Sequence, residues 1–257
     1  MSGPARSSGT ASSGTASSPA LSPGLWRDAL LIAAKDLRIE RSSKVVTVQI
    51  LPFGLLVLVL FGFALSPEPR VSLGEGVPSR AVLEHVAPGL FWLAVVFSAL
   101  LAVNRSFAIE AADGNLDALH LAGVEPGGVF LGKAAAVAAQ LVSLEVVLGV
   151  GAFVLYGPPV TSVALLLAAA VCATVGVASA GTLYGALGAG QRVRDTLTPL
   201  LVLPVLAPVV LGAARATESA LFGPVGEGWS WVGVLGAFAA LYLTAGILLF
   251  GPVLDET

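Results

Sequence analysis

Six apolar runs, at roughly 45–65, 88–109, 129–156, 160–188, 197–214 and 229–253, decide what this chain can become. Each is close to or above the roughly 20 residues that an α-helix needs to cross a hydrocarbon core. The runs are continuous, whereas strands of a membrane barrel alternate apolar and polar residues. The expected fold is therefore all-α and integral to a membrane, with six transmembrane helices. Runs three and four exceed what a bilayer requires, which predicts tilt or helix extending beyond the lipid. Composition agrees, since 56% of the 257 residues are hydrophobic and only 11% charged, far from the soluble average. The mean hydropathy is +0.91. A net charge of −3 with no basic stripe excludes a nucleic-acid partner. The single cysteine, Cys172, lies in an apolar run and can form neither an internal disulfide nor a thiolate metal cluster.

Residues 1–24 are built on a repeated SSGTA unit and lack the apolar core of a signal peptide. They are read as a disordered Ser/Gly/Thr-rich cytoplasmic tail, and 25–257 as one membrane domain. The thirteen basic residues set its orientation. Arg6, Arg27, Lys35, Arg38, Arg41 and Lys44 precede the first run, Arg105 and Lys133 flank the link at 110–128, and Arg192 and Arg194 lie between runs four and five. Those ten belong to one side, and Arg70, Arg80 and Arg215 to the other. The positive-inside rule then places both termini in the cytoplasm. Before the first run comes LWRDALLIAAKDLRIERSSK. At about 100° per residue, Trp26, Leu30, Ala33 and Leu37 share a narrow stripe, with Arg27, Asp28, Lys35 and Arg38 away from it. That pattern predicts a helix lying in the interface, in contact with membrane lipid. Leu31, Ile32 and Ile39 blur its polar face and leave open a plain cytoplasmic extension of the first run.

Chemistry-bearing residues are few. GGVFLGKA, residues 127–134, matches the Gly-x-x-x-x-Gly-Lys core of a phosphate-binding loop. Ala134, however, stands where a Ser or Thr would hold magnesium, and a polar link precedes it where a strand is required. Lys133 is read instead as the cytoplasmic end of the third run, and no ATP hydrolysis is expected of this chain. No Asp lies in any run, and the histidines, His85 in a loop and His120 in the link, fall on opposite sides. A serine–histidine or His-Glu-x-x-His arrangement is therefore not assembled; no catalytic role and no metal site are expected. Glu145 sits near the middle of the third run, with Gln140 and Ser143 nearby. A charge there costs about 2.5–3.5 kcal/mol, which makes Glu145 and Gln140 a candidate membrane-embedded polar site. The alternatives are a protonated carboxyl or one hydrogen-bonded to a neighbouring helix. Gly181 and Gly185 form a Gly-x-x-x-Gly pair suited to close helix packing. Pro199, Pro204 and Pro208 are expected to kink the fifth run.

The stretch FAIEAADGNLDALHLAG, residues 107–123, concentrates three carboxylates between two apolar runs. On a helix of about 100° per residue, Glu110, Asp113 and Asp117 cluster on one face, with Ala112, Leu116 and Leu119 opposite. A short cytoplasmic amphipathic helix is predicted. Its acids would be repelled by an anionic leaflet, so a protein partner with a groove for the helix explains it better than lipid does. A merely solvated link is the alternative.

These features together resemble the membrane subunit of an ABC exporter. The block at 87–134 is similar to the haem exporter protein B (CcmB) family of cytochrome c maturation. The matching residues are Ala-Pro-Gly-x-x-Trp at Ala87, Pro88, Gly89 and Trp92, and Arg-x-Phe at Arg105 and Phe107. After them come Glu110, Asp113, Gly114, Leu116, Asp117 and Leu119, and then Lys133. LVLPVLAP, residues 201–208, resembles the family's proline-rich fifth span. Asn104 departs from the family's frequent Glu before the Arg, Glu145 falls where an apolar residue is expected, and neither histidine matches a family position.

The resemblance implies an ABC-2-like permease in a bacterial inner membrane, with the short helix as the coupling element. The ATPase-binding residues would be Arg105, Phe107, Glu110, Asp113, Gly114, Leu116, Asp117 and Leu119; Pro88, Gly89 and Trp92 would form an outer-face motif. ATP would be hydrolysed in a separate ATP-binding (CcmA-like) subunit. Haem-handling (CcmC-like) and single-span (CcmD-like) membrane subunits would assist, and haem would be the substrate, delivered to a CcmE-like chaperone. The rival readings are an ABC-2 permease for another substrate, such as a lipid-linked glycan or a drug, and a non-transporting scaffold. The orientation gives a first expected outcome. In intact cells, an impermeant thiol reagent labels a single cysteine placed at Ser72 and spares one placed at Thr257; the reverse pattern overturns the topology.

Overall fold

The computed structural model describes residues 23–43, 51–64, 70–71, 80–113, 125–189 and 194–255. They form seven helices: α1 (Pro23–Ser43), α2 (Leu51–Ala64), α3 (Val82–Asp113), α4 (Pro126–Tyr156), α5 (Val163–Ala189), α6 (Arg194–Phe222) and α7 (Val225–Asp255). Between α2 and α3, β1 (Arg70–Val71) and β2 (Arg80–Ala81) pair antiparallel, Arg70 opposite Ala81.

Five helices, α3 to α7, contain apolar stretches long enough to cross a membrane: Val86–Asn104, Pro126–Leu155, Val163–Leu187, Val202–Phe222 and Val225–Pro252. The expected first span, 45–65, is described only as α2, whose 14 residues reach about 21 Å, short of a full crossing; 44–50 and 65 lie outside the described residues, as do 1–22 of the expected tail, whose last two residues, Pro23 and Gly24, open α1. Two helices, α3 and α6, differ most from the sequence reading. α3 starts at Val82, so that His85, read as loop, is helical, and it continues past the expected end at 109 to Asp113. α6 runs on from the expected end at 214 to Phe222, because Arg215 and Glu218 pair across one turn at 3.2 Å and keep their charges on its outer flank. α6 is helical throughout Pro199, Pro204 and Pro208. Near those prolines the Tyr242 hydroxyl of α7 donates to the Val205 carbonyl at 2.8 Å.

Local signals explain the other ends. Pro126 opens α4 at a position whose N–H would have no intrahelical partner, and Gly157 closes it in the left-handed conformation, φ +54°. Gly223, φ +71°, makes the tight turn from α6 to α7. The α4–α5 connection ties back to the end of α6: the Thr161 and Ser162 amides donate to the Ala220 carbonyl and the Thr161 hydroxyl to that of Leu221. Those bonds occupy carbonyls that a helix C-terminus leaves without partners.

α5 is the axis of the bundle, touching α3, α4, α6 and α7. Its small residues allow this. A Cβ on Gly181 would lie 3.1 Å from Val103 of α3; one on Gly185 would overlap Val103 and come within 2.9 Å of the Phe107 ring. The predicted Gly-x-x-x-Gly pair is thus the seat of α3. Opposite faces carry exposed apolar side chains, among them Phe97, Val146, Phe153, Val171 and Leu241, as membrane helices require. The contrast between packed and open glycines is testable. Gly185→Ala should destabilise the protein in detergent by about 1–3 kcal/mol. Gly149→Ala, with nothing within 4 Å, should be neutral or stabilise by up to about 1 kcal/mol. Equal unfolding midpoints would refute this packing.

Candidate functional site

The densest polar cluster among the described residues lies where α1, α3 and α4 meet. It begins with glycines. A Cβ on Gly132 would stand 2.6 Å from both the Ala29 carbonyl oxygen and Ile32 Cβ, and one on Gly128 would stand 3.1 Å from the Leu25 carbonyl. The phosphate-loop-like sequence is therefore the start of a helix. Its glycines, one turn apart, let the α1 backbone lie directly on α4. α1 docks through Leu25, Ala29 and Ile32, all buried. With Asp36 these follow a four, three, four spacing, which is one continuous helical stripe. That stripe is one residue, about 100°, from the one expected to face lipid. Trp26 and Leu30 of the expected stripe are 57% and 70% exposed, while the neighbouring face binds α4.

Docking brings two carboxylates of α1 to α4. Asp28 accepts from the Glu125 amide at 3.4 Å, at the N-terminus of α4, where the helix dipole favours negative charge. Two turns on, Asp36 meets Lys133 at 3.5 Å and Lys35 at 3.3 Å. Lys133, in the early turns of α4, is 1% exposed: its stem and ammonium lie under α1. The ammonium also donates to the Ser106 hydroxyl at 3.1 Å and sits 4.7 Å from the centroid of the Phe107 ring. Ser106 in turn contacts Asp36 at 3.3 Å. A desolvated cation over an aromatic face contributes on the order of 2 kcal/mol. Phe107, itself 1% exposed, is held between Lys133 of α4 and Gly185 of α5.

This junction anchors both ends of the acidic link. Asp113 ends α3 six residues, about 9 Å of helix, beyond Phe107. The chain is described again from Glu125, eight residues before Lys133. Glu110 and Asp113 are the final turn of α3 and not the start of a separate helix. Gly114, Leu116, Asp117, Leu119 and His120 lie outside the described residues. Arg105 is on α3, one position before Ser106.

The other expected residues lie elsewhere. Trp92 is 2% exposed and donates its indole N–H to the Thr217 hydroxyl of α6 at 2.9 Å, with Phe91 packed edge-on at 5.6 Å. At Trp92 the predicted outer-face motif packs into the bundle. Pro88 is buried nearby, and Gly89 has open space around it. Glu145 bonds to Thr174 of α5 at 2.7 Å. Gln140, five residues away and about 140° round the helix, is not part of that contact. Sequence reasoning missed Asp36 and Ser106 as partners of Lys133. The available signal was an acid on α1 in phase with the apolar stripe that includes Ala29 and Ile32.

Removing one member of a buried ion pair costs about 3–5 kcal/mol, whereas replacing both by apolar groups costs far less. Lys133→Met and Asp36→Leu should each lower the unfolding free energy strongly. The double variant should lose clearly less than the sum of the two. Additive losses in that cycle would show that the groups are not coupled.

Comparison with known proteins fits this arrangement. The model of the family described as CcmB protein matches residues 27–251. The chain is 30% identical to the heme exporter protein B of Haemophilus influenzae over 207 residues, 74% of this chain and 81% of that one. It is 30% identical to the Paracoccus denitrificans protein of the same name over 197 residues, covering 76% and 84%. The Pseudomonas aeruginosa relative is 27% identical over 220 residues, covering 81% and 89%. The matched region takes in the Gly128–Gly132 seat, the Lys133–Asp36 pair, the acidic link and all five membrane-length helices, and by it the chain belongs to the CcmB family.

Proposed function

We propose that this chain is the membrane permease subunit of a haem exporter, driven by a separate ATP-binding subunit. The observation that carries the reading is the family match across 27–251, with relatives named heme exporter protein B. Haem is the substrate of the complex. A haem-handling membrane subunit and a small single-span subunit complete the assembly, and the product is haem on a chaperone outside the inner membrane. In this reading α2 extends through its neighbouring residues into a sixth span, α1 lies in the cytoplasmic interface, and both termini are cytoplasmic. Residues 1–24 form a separate tail, and 25–257 the permease domain.

The link is the coupling element in this reading. Leu116 and Leu119 enter a groove on the ATP-binding subunit, while Glu110, Asp113 and Asp117 meet basic or donor groups at its rim. Gly114 permits close backbone approach there. Phe107 holds the base of the link, and Arg105 is counted with the ATPase-binding residues. The geometry in support is the junction of α1, α3 and α4, which grips both helices that the link joins. A leucine side chain contributes about 1.5–3 kcal/mol on burial, and an exposed ion pair usually less than about 1 kcal/mol. The apolar face therefore sets affinity, and the acids set orientation and partner choice.

The test is co-purification with the ATP-binding subunit, with haem absorbance measured on the product. Leu116→Ala combined with Leu119→Ala removes about 3–6 kcal/mol of burial, a loss of at least about 100-fold in affinity, and should release the ATPase. Asp113→Asn should weaken the complex only modestly. Full retention of the ATPase by the double variant would refute the docking. A wild-type complex that binds its ATPase yet delivers no haem would point to another substrate.

A further inference from the structure

Glu145 lies in the middle of α4 and contacts Thr174 of α5, Oε1 to Oγ1, at 2.7 Å. The same Thr174 hydroxyl lies 2.7 Å from the carbonyl oxygen of Ala170, one turn back in its own helix. A threonine hydroxyl has one hydrogen to donate and two lone pairs to accept with. A carbonyl oxygen only accepts. One hydrogen shared between two acceptors would lengthen both contacts, so two contacts of this length around one hydroxyl take two protons between three oxygens. The hydroxyl supplies one, to Ala170, the usual back-bond of a helical threonine. The second has to come from the carboxyl.

The charges around the site agree. α4 packs against α1, α2, α3, α5 and α7. α2, α5 and α7 contain no Lys or Arg, and the apolar stretch Val86–Asn104 of α3 contains no ionisable residue. The ionisable side chains of α5 are Cys172 and Tyr184, and those of α7 are Glu227, Tyr242 and Asp255. α1 docks on the opening turns of α4, and the nearest cation on α4 itself, Lys133, is twelve residues or about 18 Å of helix away, held by Asp36 and Ser106. Among the described residues, the helix stretches level with Glu145 hold no cation for a carboxylate; the basic residues of α1 and Arg105 of α3 belong to the Lys133 end of α4.

We infer that Glu145 is a proton-binding site: a neutral carboxylic acid inside the membrane bundle whose O–H donates to Thr174 Oγ1. The ligand is a proton, and it is the atom that joins α4 to α5 at this level. The inference is independent of haem and of the ATP-binding subunit, since it rests on oxygen–oxygen contacts within this chain.

Infrared spectroscopy of the full-length protein in lipid nanodiscs at neutral pH tests it. Carboxylic acid and carboxylate absorb in separate regions, and the other acidic residues cancel in a difference spectrum. Wild type minus Glu145→Gln should show one carboxylic-acid carbonyl band, shifted down in D2O. Thr174→Val should keep that band and move it to higher wavenumber, because the acid loses its acceptor. A difference spectrum made of carboxylate bands would overturn the inference, and so would a Thr174→Val spectrum with the acid band unmoved. Thr174→Val leaves the carboxyl in place, so it decides the question alone should Glu145→Gln fail to insert: a shifted acid band supports the site, and a shifted carboxylate band removes it.

Discussion

A lysine ammonium that is 1% exposed has to be given an anion and hydrogen-bond acceptors by the protein, since burial strips it of bulk hydration. Much of the architecture at this end of the molecule follows from Lys133. The anion does not come from the five membrane-length helices: their apolar stretches hold no Asp, and Glu145 of α4 lies twelve residues away against Thr174. It comes from a helix outside those five, and Asp36 reaches Lys133 only because α1 lies against the α4 backbone. That approach in turn requires Gly128 and Gly132. With any larger residue at 132 the Ala29 carbonyl, 2.6 Å from the place of a Cβ, would have to move, and Asp36 with it. The Phe107 ring completes the shell from α3. One buried charge therefore fixes the register of three helices.

Lipid tails are as apolar as the helix surfaces, so membrane helices associate by close packing and hydrogen bonds and not by burial of apolar area. α5 illustrates the first route. Gly181 and Gly185 seat α3 at Val103 and Phe107, while Ala173, Ala178 and Ala180 are completely or almost completely buried in the same core. Trp92 illustrates the second, spending its single N–H on Thr217 at the opposite end of α3. Phe130, buried over Gly246 and 5.6 Å from Phe250, combines a small residue with ring packing to join α4 to α7. Each contact sits where a small residue or a donor makes close approach worthwhile; lipid-facing positions such as Phe153 and Val154 show no such pairing.

The membrane helices were legible in the sequence because their signal is local: a continuous apolar run, Pro126 at one end and Gly157 at the other. Gly181 and Gly185 were legible for the same reason. The Lys133–Asp36 pair was not. Its members are 97 residues apart, and the glycines that allow it sit inside a string resembling a phosphate loop. The lipid stripe proposed for α1 and the stripe that docks on α4 differ by one position, and helical periodicity in a helix with apolar residues on several faces cannot rank them. The ends of α3 and α6 were drawn too short because charge was taken to end a span. An intrahelical Arg215–Glu218 pair and a helix that leaves the lipid both carry charge without breaking.

The continuity of α3 changes what a coupling element at 110–121 would act on. A separate link helix joined by a flexible elbow could swing on docking and leave the bundle undisturbed. Glu110 and Asp113 instead belong to a helix 32 residues long, held at Trp92 by Thr217 and at Phe107 between Lys133 and Gly185. The two holds are 15 residues, about 22 Å, apart, and Asp113 projects about 9 Å beyond the second. A force on the link therefore reaches a rod fixed at two points. Interiors packed at close range do not deform continuously, so the rod moves by releasing one hold. The Phe107 hold is nearer to the force and shares its partners with α1 and α4, so releasing it frees Lys133 from the ring and loosens Asp36 together with it. In the proposed exporter, docking of an ATP-binding subunit would thus be felt first at the buried ion pair, and α1, α3 and α4 would respond as one unit.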